Sequence, residues 1–381
     1  MENFTFYSPT KLVFGKDVNK QAGAEIAACG AKRVLLLAGG GSIRKNGVYD
    51  RVTGSLKAAG VSWIEVWGVR PNPVLSKVEE AVAACRAERV EAVLAVGGGS
   101  VLDSGKAVAA GFYLTNSWDA YSGAAAVEKA LPLFAVLTLS ATGSEMNSFS
   151  VLTNEAETKK WAMGAPVLFP KVSFIDPSAQ MTLPWHQTVN GAVDAMAHVM
   201  EFYFVGTTEE TAIALDEALT KSILVATDRL QENPNDYESR ANLAWAATLA
   251  LNGVSGGCLK GGDWAVHGIE HALSALRPEV AHGAGLGVLF PAWIRYVRKE
   301  NPPQFRRWAK NIWDAPSIEK GIAKMKARLR KWGAPVALDE LGFSKADIPA
   351  IAANALLAGP LGQLKTLSQK DIEGILALAF D

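Results

Sequence analysis

The first half of the chain alternates short apolar runs with amphipathic stretches. Runs of strand length occur in KRVLLLAGGG, VSWIEVWG, EAVLAVGGGS and LPLFAVLTLS. Between them, apolar residues recur every three or four positions, which predicts helices over about 47–59, over about 74–88 and from about Val101 onward. Because buried runs separated by helices are typical of βαβ units, this half predicts a Rossmann-like, mostly parallel sheet with helices on both faces.

The second half has a different pattern. After FIDPSAQMTLP the strand-like runs stop, and long stretches rich in Ala and Leu repeat their apolar residues at helical spacing. Pro177 and Pro184 mark the change. We therefore predict two domains, an α/β domain over residues 1–184 and an all-helical domain over residues 185–381. A chain of 381 residues is also long enough for two hydrophobic cores.

Composition narrows the class of protein. The 38 basic and 38 acidic residues cancel, which argues against nucleic acid or an anionic membrane as the main partner. Apolar runs are too short to span a bilayer, and the N-terminus lacks the pattern of a signal peptide. The three cysteines, Cys29, Cys85 and Cys258, show no metal or redox spacing, which favours free buried thiols and a cytoplasmic location.

Two glycine turns each follow a predicted strand and precede a predicted helix, one at 38–42 (AGGGS) and one at 97–100 (GGGS). Glycine lets a ligand approach the backbone, and the N–H groups of a helix N-terminus bind phosphate. Neither turn matches G-x-G-x-x-G, since Arg44 and Leu102 replace the last glycine. Tight turns alone would also explain the glycines, but the pair favours a dinucleotide site.

The first turn also bears on the choice of cofactor. NAD enzymes often place a carboxylate after such a strand to hold the ribose 2′-hydroxyl. Here small residues and cations follow the strand, in the order GGGSIRK. This favours NADP over NAD, although Arg44 and Lys45 are equally compatible with a solvated surface.

Histidine is rare, with five in the chain, and three of them lie in HGIEHALSALRPEVAH. Asp194 and His198 are four residues apart on a predicted helix, as are His267 and His271, and His282 follows Pro278. A carboxylate with imidazoles suits a divalent ion such as iron or zinc. A single histidine is more often a packed core residue, so spacing alone does not identify the ligands.

These segments together resemble the iron-containing (group III) alcohol dehydrogenases, in particular the NADP-dependent butanol dehydrogenase and aldehyde reductase branch. The similarity extends over nearly the whole chain. It is carried by SPTKLVFG, AGGGSIRKNGVYD, RPNPVLSKVEEAV, AVGGGSVLDSGKAVA, LTLSATGSEMNSFSVLTNEAETKKW, FIDPSAQMTLP, GAVDAMAHVMEFYF and GGDWAVHGIEHALSALRPEVAHGAGLGVLFP.

The resemblance implies a site in each domain. The metal, iron(II) first and zinc as the alternative, falls on Asp194, His198, His267 and His282. His271 corresponds to the histidine kept near the substrate as a proposed proton relay, whereas His186 is predicted to be a structural or rim residue. The resemblance also implies how NADP is held. Gly39, Gly40 and Ser42 would contact the 2′-phosphate, and Gly97, Gly98 and Ser100 would contact the pyrophosphate, with Asp103 nearby. Thr138 and Thr142 would flank the adenine and nicotinamide portions, and Lys160 would reach a ribose or phosphate.

The resemblance also implies the reaction, reversible hydride transfer between NADP(H) and an aldehyde or primary alcohol such as butanal or butanol. It places the active site in the cleft between the α/β domain and the helical domain. It also implies a homodimer. A glycerol or other polyol dehydrogenase of the same superfamily is the alternative, and a dehydroquinate-synthase-like lyase fits the motifs poorly. A sensor that binds metal and nucleotide is disfavoured because the ligands and His271 are all present. The abundant tryptophans suit a substrate wall or a core equally.

Overall fold

The computed structural model describes all residues from Met1 to Asp381. The chain forms two compact units: an α/β unit of Ser8–Leu183 with Asn235–Ala244, and a helical unit of Met1–Tyr7, Pro184–Pro234 and Trp245–Asp381. Two short segments therefore belong to a unit other than the one that the sequence pattern assigns. Periodicity reports local structure, whereas membership of a unit depends on which residues are neighbours in space.

The α/β unit is built on a six-stranded parallel sheet, as predicted. Its strands are β1 (Lys11–Phe14), β2 (Arg33–Ala38), β3 (Ser62–Val66), β4 (Ala92–Gly97), β5 (Leu133–Leu137) and β8 (Val172–Ile175). They lie in the order β1-β8-β5-β4-β2-β3. Two further strands, β6 (Phe149–Asn154) and β7 (Lys159–Gly164), form a separate antiparallel hairpin that the sequence analysis missed.

The helices of this unit connect the strands. They are α1 (Ala22–Ala28), α2 (Ser42–Lys45), α3 (Val48–Ala58), α4 (Leu75–Ala87), α5 (Gly99–Gly111) and α6 (Asp119–Ser122). The predictions of helices over about 47–59 and 74–88 are confirmed by α3 and α4. The helix predicted near Val101 is α5, which begins at Gly99.

Alternating side chains of the central strands fill two separate cores. Leu35 and Leu37 of β2 pack in one core with residues of α4 and α5, whereas Leu36 packs in the other core with residues of α1 and α3. Because both faces are covered, the central strands are apolar throughout, which explains their continuous apolar sequence. The prediction of helices on both faces is confirmed.

The second unit is helical, as predicted. It contains α7 (Trp185–Tyr203), α8 (Glu210–Glu232), α10 (Ala265–Leu276), α11 (His282–Val297), α12 (Pro302–Asn311), α13 (Ile318–Trp332), α14 (Ile348–Ala355) and α15 (Gln369–Leu378), while α9 (Tyr237–Ala250) contains the boundary at Ala244. Short 3₁₀ helices occupy Val18–Gln21, Pro166–Leu168, Pro177–Gln180, Asp339–Leu341 and Lys345–Asp347.

Large aromatic residues form the core of the helical unit. Trp293, Trp308 and Trp332 are fully buried, and the rings of Phe204 and Phe305 stack with centroids 4.4 Å apart. These tryptophans are therefore core residues and not a substrate wall. None of the helices combines the length and the apolar character that crossing a membrane requires.

Candidate metal and cofactor sites

Helix α7 supplies a carboxylate and an imidazole to the interior of the helical unit. Asp194 and His198 are one turn apart, and both are buried. The Nε2 atom of His198 lies 3.7 Å from the Oδ1 atom of Asp194. Between and around them the helix is rich in alanine, so that neighbouring helices pack close to this face.

Two more histidines approach the same carboxylate from α10 and α11. The Nε2 atoms of His267 and His282 lie 3.9 Å and 3.5 Å from the Oδ1 atom of Asp194. His282 opens α11, and the next residue, Gly283, packs so tightly on α7 that an added Cβ would lie 2.1 Å from the carbonyl oxygen of Asn190. Glycine at this position therefore brings His282 to the cluster.

The four side chains fit a divalent metal ion. Ligand atoms about 2.1 Å from a tetrahedral ion lie about 3.4 Å apart, close to the distances from Asp194 to the three imidazoles. The Nε2 atom of His267 is buried and has no hydrogen-bond partner. Burial, with the nearby His267 and His282, holds the pKa of His198 well below its usual value, which keeps this imidazole neutral, as a ligand must be.

Glu201, which the sequence analysis missed, orients His267. The Oε1 atom of this fully buried carboxylate lies 2.7 Å from Nδ1 of His267 and accepts its backbone N–H, while Oε2 accepts the N–H of Trp264. A carboxylate on Nδ1 directs Nε2 to the metal and fixes the tautomer. Glu201 also satisfies free N–H groups at the start of α10.

Glu270 plays the same part for His282 and was also missed. It is fully buried, and Oε2 pairs with Nδ1 of His282. Both glutamates lie three residues after a predicted ligand, in H-V-M-E and H-G-I-E. Glu201 on α7 pairs with His267 on α10, and Glu270 on α10 pairs with His282 on α11. The repeated H-x-x-E spacing would not by itself reveal these pairings.

His271 lies beside the cluster. It is half-buried, and its ring centroid is 5.4 Å from that of His282. Ligand atoms of Glu270, His271 and His282 also lie within 4.8 Å of one another. The remaining histidine, His186, is exposed at the second residue of α7.

The predicted cofactor residues lie in the α/β unit, most of them at one edge of the sheet. Strands β5, β4 and β2 are neighbours, and they lead into Thr138, the Gly97–Ser100 turn and the Gly39–Ser42 turn respectively. The N–H of Thr138 donates to the carbonyl of Gly97. Dinucleotides bind at the carboxyl edge of such a sheet, and the residues predicted to contact the cofactor lie together at this edge.

Two predicted contacts are buried and bonded to the protein itself. The Oδ1 atom of Asp103 accepts from Ser144, and its Oδ2 atom accepts from the N–H of Val151. Lys160, on β7, donates to Asn72. Asp103 thus connects the helix after the glycine turn to the segment that contains Ser144 and Val151.

Arg44 follows the first turn and is held in place by its neighbours. Its guanidinium lies over the rings of Tyr49 and Trp67, at 4.9 Å and 4.2 Å from their centroids. It also pairs with Glu65 at 3.3 Å, and both aromatic residues donate hydrogen bonds to that carboxylate. Arg44 remains more than half exposed.

The chain thus combines a parallel α/β unit with a carboxylate–histidine cluster in a helical unit. Its sequence matches two family models, one for each part. Residues 9–177 match the iron-containing alcohol dehydrogenase family, and residues 188–380 match the C-terminal domain of the Fe-containing alcohol dehydrogenase family. The chain belongs to the iron-containing alcohol dehydrogenase family.

Similar proteins extend over almost the whole chain. The probable NADH-dependent butanol dehydrogenase 1 of Bacillus subtilis is 40% identical over 99% of both chains. The NADPH-dependent aldehyde reductase YqhD of Escherichia coli is 33% identical over 92% of both chains. The crystal structure of NADH-dependent butanol dehydrogenase A from Thermotoga maritima superimposes with a TM-score of 0.98 at 51% identity, covering 100% of this chain and 99% of that one.

Proposed function

We propose that this enzyme interconverts an aldehyde and a primary alcohol, such as butanal and butanol, with NADP(H) and a divalent metal. The observation that carries the proposal is the convergence of three imidazole Nε2 atoms on the Asp194 carboxylate, within 3.5–3.9 Å. The likeness to relatives named butanol dehydrogenase and aldehyde reductase supports the substrate class.

Asp194, His198, His267 and His282 would hold the ion, iron(II) first and zinc as the alternative. A bound divalent ion supplies Lewis-acid polarisation of a carbonyl, and NADPH supplies the hydride. Asp194 lowers the net charge of the site, and Glu201 and Glu270 keep two imidazoles in the ligating orientation. His271 is the proposed proton donor to the product oxygen, because it lies next to the cluster without belonging to its four ligands.

The central test uses protein stripped of metal and then reloaded with iron(II) or zinc. We expect butanal-dependent oxidation of NADPH only after reloading. His267→Ala should lose both metal retention, measured by elemental analysis, and turnover. Turnover close to wild type in this variant would contradict the metal assignment, and cofactor binding without turnover on any substrate would favour a sensor.

The relatives differ in the cofactor given in their names: the Bacillus relative is named NADH-dependent and the E. coli relative NADPH-dependent. The preference for NADP(H) is therefore proposed from this chain's own residues. Gly39, Gly40 and Ser42 support it, since none repels a 2′-phosphate. The cation of Arg44, held over Trp67 and Tyr49, lies two residues beyond Ser42. Charge-assisted binding of phosphate by such a group is strong.

Steady-state kinetics with both cofactors tests this preference. We expect kcat/KM to be higher for NADPH, and Arg44→Gln to reduce the ratio of NADPH to NADH use by about tenfold. Lys57→Gln, which removes a cation from the neighbouring α3, is the control and should leave the ratio unchanged. A higher kcat/KM for NADH in the wild type would overturn the preference.

The polyol alternative is tested with the same preparation. A panel of butanal, other short aldehydes, glycerol and propanediols ranks the substrates by kcat/KM. We expect the aldehydes to be favoured, and a preference for glycerol would replace the proposed substrate class.

We also propose a cytoplasmic homodimer that binds neither nucleic acid nor membrane. The three cysteines are unpaired, although Cys29 is exposed and not buried as predicted. The net charge of the chain is zero. Strand β1 is an edge strand that pairs only with β8, so its other edge is open for a second chain. Light scattering after size exclusion should give twice the 40.5 kDa of the chain, and a monomer would overturn this part.

A further inference from the structure

Lys106 is an ammonium group buried in the α/β unit. It lies on α5, two turns beyond the Gly97–Ser100 turn, and it is fully shielded from solvent. Its Nζ atom donates to the hydroxyl of Ser144 at 2.8 Å, to Oδ1 of Asn147 at 2.9 Å and to the carbonyl of Phe149 at 2.7 Å. All three donors of the ammonium are thereby used, which is the condition for burying such a charge.

Asp103, one turn earlier on α5, holds the same segment. Its carboxylate accepts from Ser144 at 2.6 Å and from the N–H of Val151 at 3.0 Å. Ser144 therefore stands between the two charged groups. Burial raises the pKa of Asp103 and lowers the pKa of Lys106 to about 8, while the opposite charge of each partner opposes its shift.

These bonds lead to Thr142, a predicted cofactor contact. Asn147, which accepts from Lys106, donates through Nδ2 to the carbonyl of Thr142 at 3.2 Å. The N–H of Ser144 donates to the hydroxyl of the same threonine at 3.2 Å. Thr142 in turn packs on Gly99, where an added Cβ would lie 2.4 Å from its methyl carbon.

We infer that Lys106 and Asp103 are positioning residues that hold Thr142 against the glycine turn and so fix the geometry of the nicotinamide cofactor site. The inference rests on the proposed function, since that function places the cofactor at this turn. It also gives Asp103 a role different from direct contact with the cofactor. Neither buried charge faces solvent, so neither is needed for solubility.

The test compares variants that break different parts of this network. Lys106→Met removes the central cation. Asn147→Ala removes the bond to the carbonyl of Thr142 and leaves both buried charges and the route through Ser144 in place. Tyr121→Phe is the matched control, because Tyr121 is also buried and its bond to Ser150, at 2.6 Å, leads only to the backbone carbonyl of Asp103 and not to Thr142. Each variant is compared with wild type as metal-loaded full-length protein.

The readouts are the dissociation constant of NADPH by fluorescence titration, the KM for butanal, and the thermal midpoint. We expect both network variants to raise the dissociation constant of NADPH by about tenfold. The KM for butanal at saturating NADPH should change less than about twofold. Tyr121→Phe should lower the thermal midpoint but leave NADPH affinity at the wild-type value. If Lys106→Met does not fold, Asn147→Ala alone decides the matter.

Two results would overturn the inference. One is unchanged NADPH affinity in Asn147→Ala, and the other is a loss of affinity that follows the thermal midpoint in all variants, Tyr121→Phe included. Failure of the proposed function is distinguishable, because in that case the wild-type protein itself would bind neither NADPH nor NADH.

Discussion

At the scale of single residues, the metal cluster depends on two glutamates that do not belong to it. Glu201 and Glu270 occupy Nδ1 of His267 and His282, and so leave Nε2 of each ring directed to Asp194. Without them, each imidazole would have two available nitrogens and a freer ring. Partners of this kind contribute to metal affinity as well as to orientation.

Replacing either glutamate should therefore weaken the binding of the metal. We expect Glu201→Gln and Glu270→Gln to raise the dissociation constant for zinc by about 10–100-fold, measured by competition with a chromophoric chelator. Glu217→Gln is the control, because Glu217 is also buried in the helical unit but bonds to Tyr203 and Arg307. Equal zinc affinity in all three variants would exclude the orienting role.

The lowered pKa of Glu209 should affect the stability of the protein in acid. Hydrogen bonds from the backbone N–H groups of Thr207 and Thr208 lower its pKa to about 2 from an ordinary 4.5. Because the folded pKa lies below the unfolded one, the stabilisation is present above about pH 4.5 and is lost as the pH falls toward 2. We expect urea midpoints to fall less between pH 5 and pH 3 in Glu209→Gln than in wild type. Identical pH profiles would contradict this.

At the scale of elements, the start of α10 is tied to a distant loop. Asp263 accepts from the N–H of Ala265 and, through Oδ2, from the N–H groups of Gln363 and Leu364 at 2.8 Å and 2.7 Å. Burial and the charge of Glu201 raise the pKa of Asp263 to about 6. The helix that carries His267 and His271 thus depends on a segment almost a hundred residues later.

Asp263→Ala should release that loop. We expect the free energy of unfolding to fall by about 1–3 kcal/mol, since the N–H groups of Gln363 and Leu364 lose a buried, charged acceptor. Hydrogen exchange followed by mass spectrometry should show faster exchange around Gln363 and Leu364. Exchange at the β6–β7 hairpin provides the internal control, and protection that remains unchanged near Gln363 would exclude the link.

At the scale of the whole molecule, a metal that binds only the folded state should stabilise it. At a free ion concentration 100 times the dissociation constant, the gain is about 2.7 kcal/mol. We expect calorimetry to show a higher unfolding midpoint for zinc-loaded protein than for stripped protein, and no such difference for His267→Ala. Stabilisation of this variant equal to wild type would place the ion elsewhere.

The sequence predicted the elements best where local pattern and burial agree. Strands β2 and β4 are buried on both faces, so their sequences are continuously apolar and they were found. The β6–β7 hairpin was missed because it mixes lysines with apolar residues, and Lys160 is buried and donates to Asn72, 88 residues earlier in the chain. Such strands are stabilised by partners far away in the sequence, which periodicity does not record.

By itself, the sequence determined the α/β and helical halves, the two glycine turns and, through resemblance, the family and its four predicted metal ligands. The i, i+4 spacing put Asp194 beside His198 because one helical turn fixes that distance. Only the tertiary structure brought His267 and His282 to the same carboxylate, paired each H-x-x-E glutamate with a histidine of another helix, and turned Asp103 toward Ser144. These contacts join helices and loops whose relative position depends on packing, and packing is a property of the folded chain as a whole.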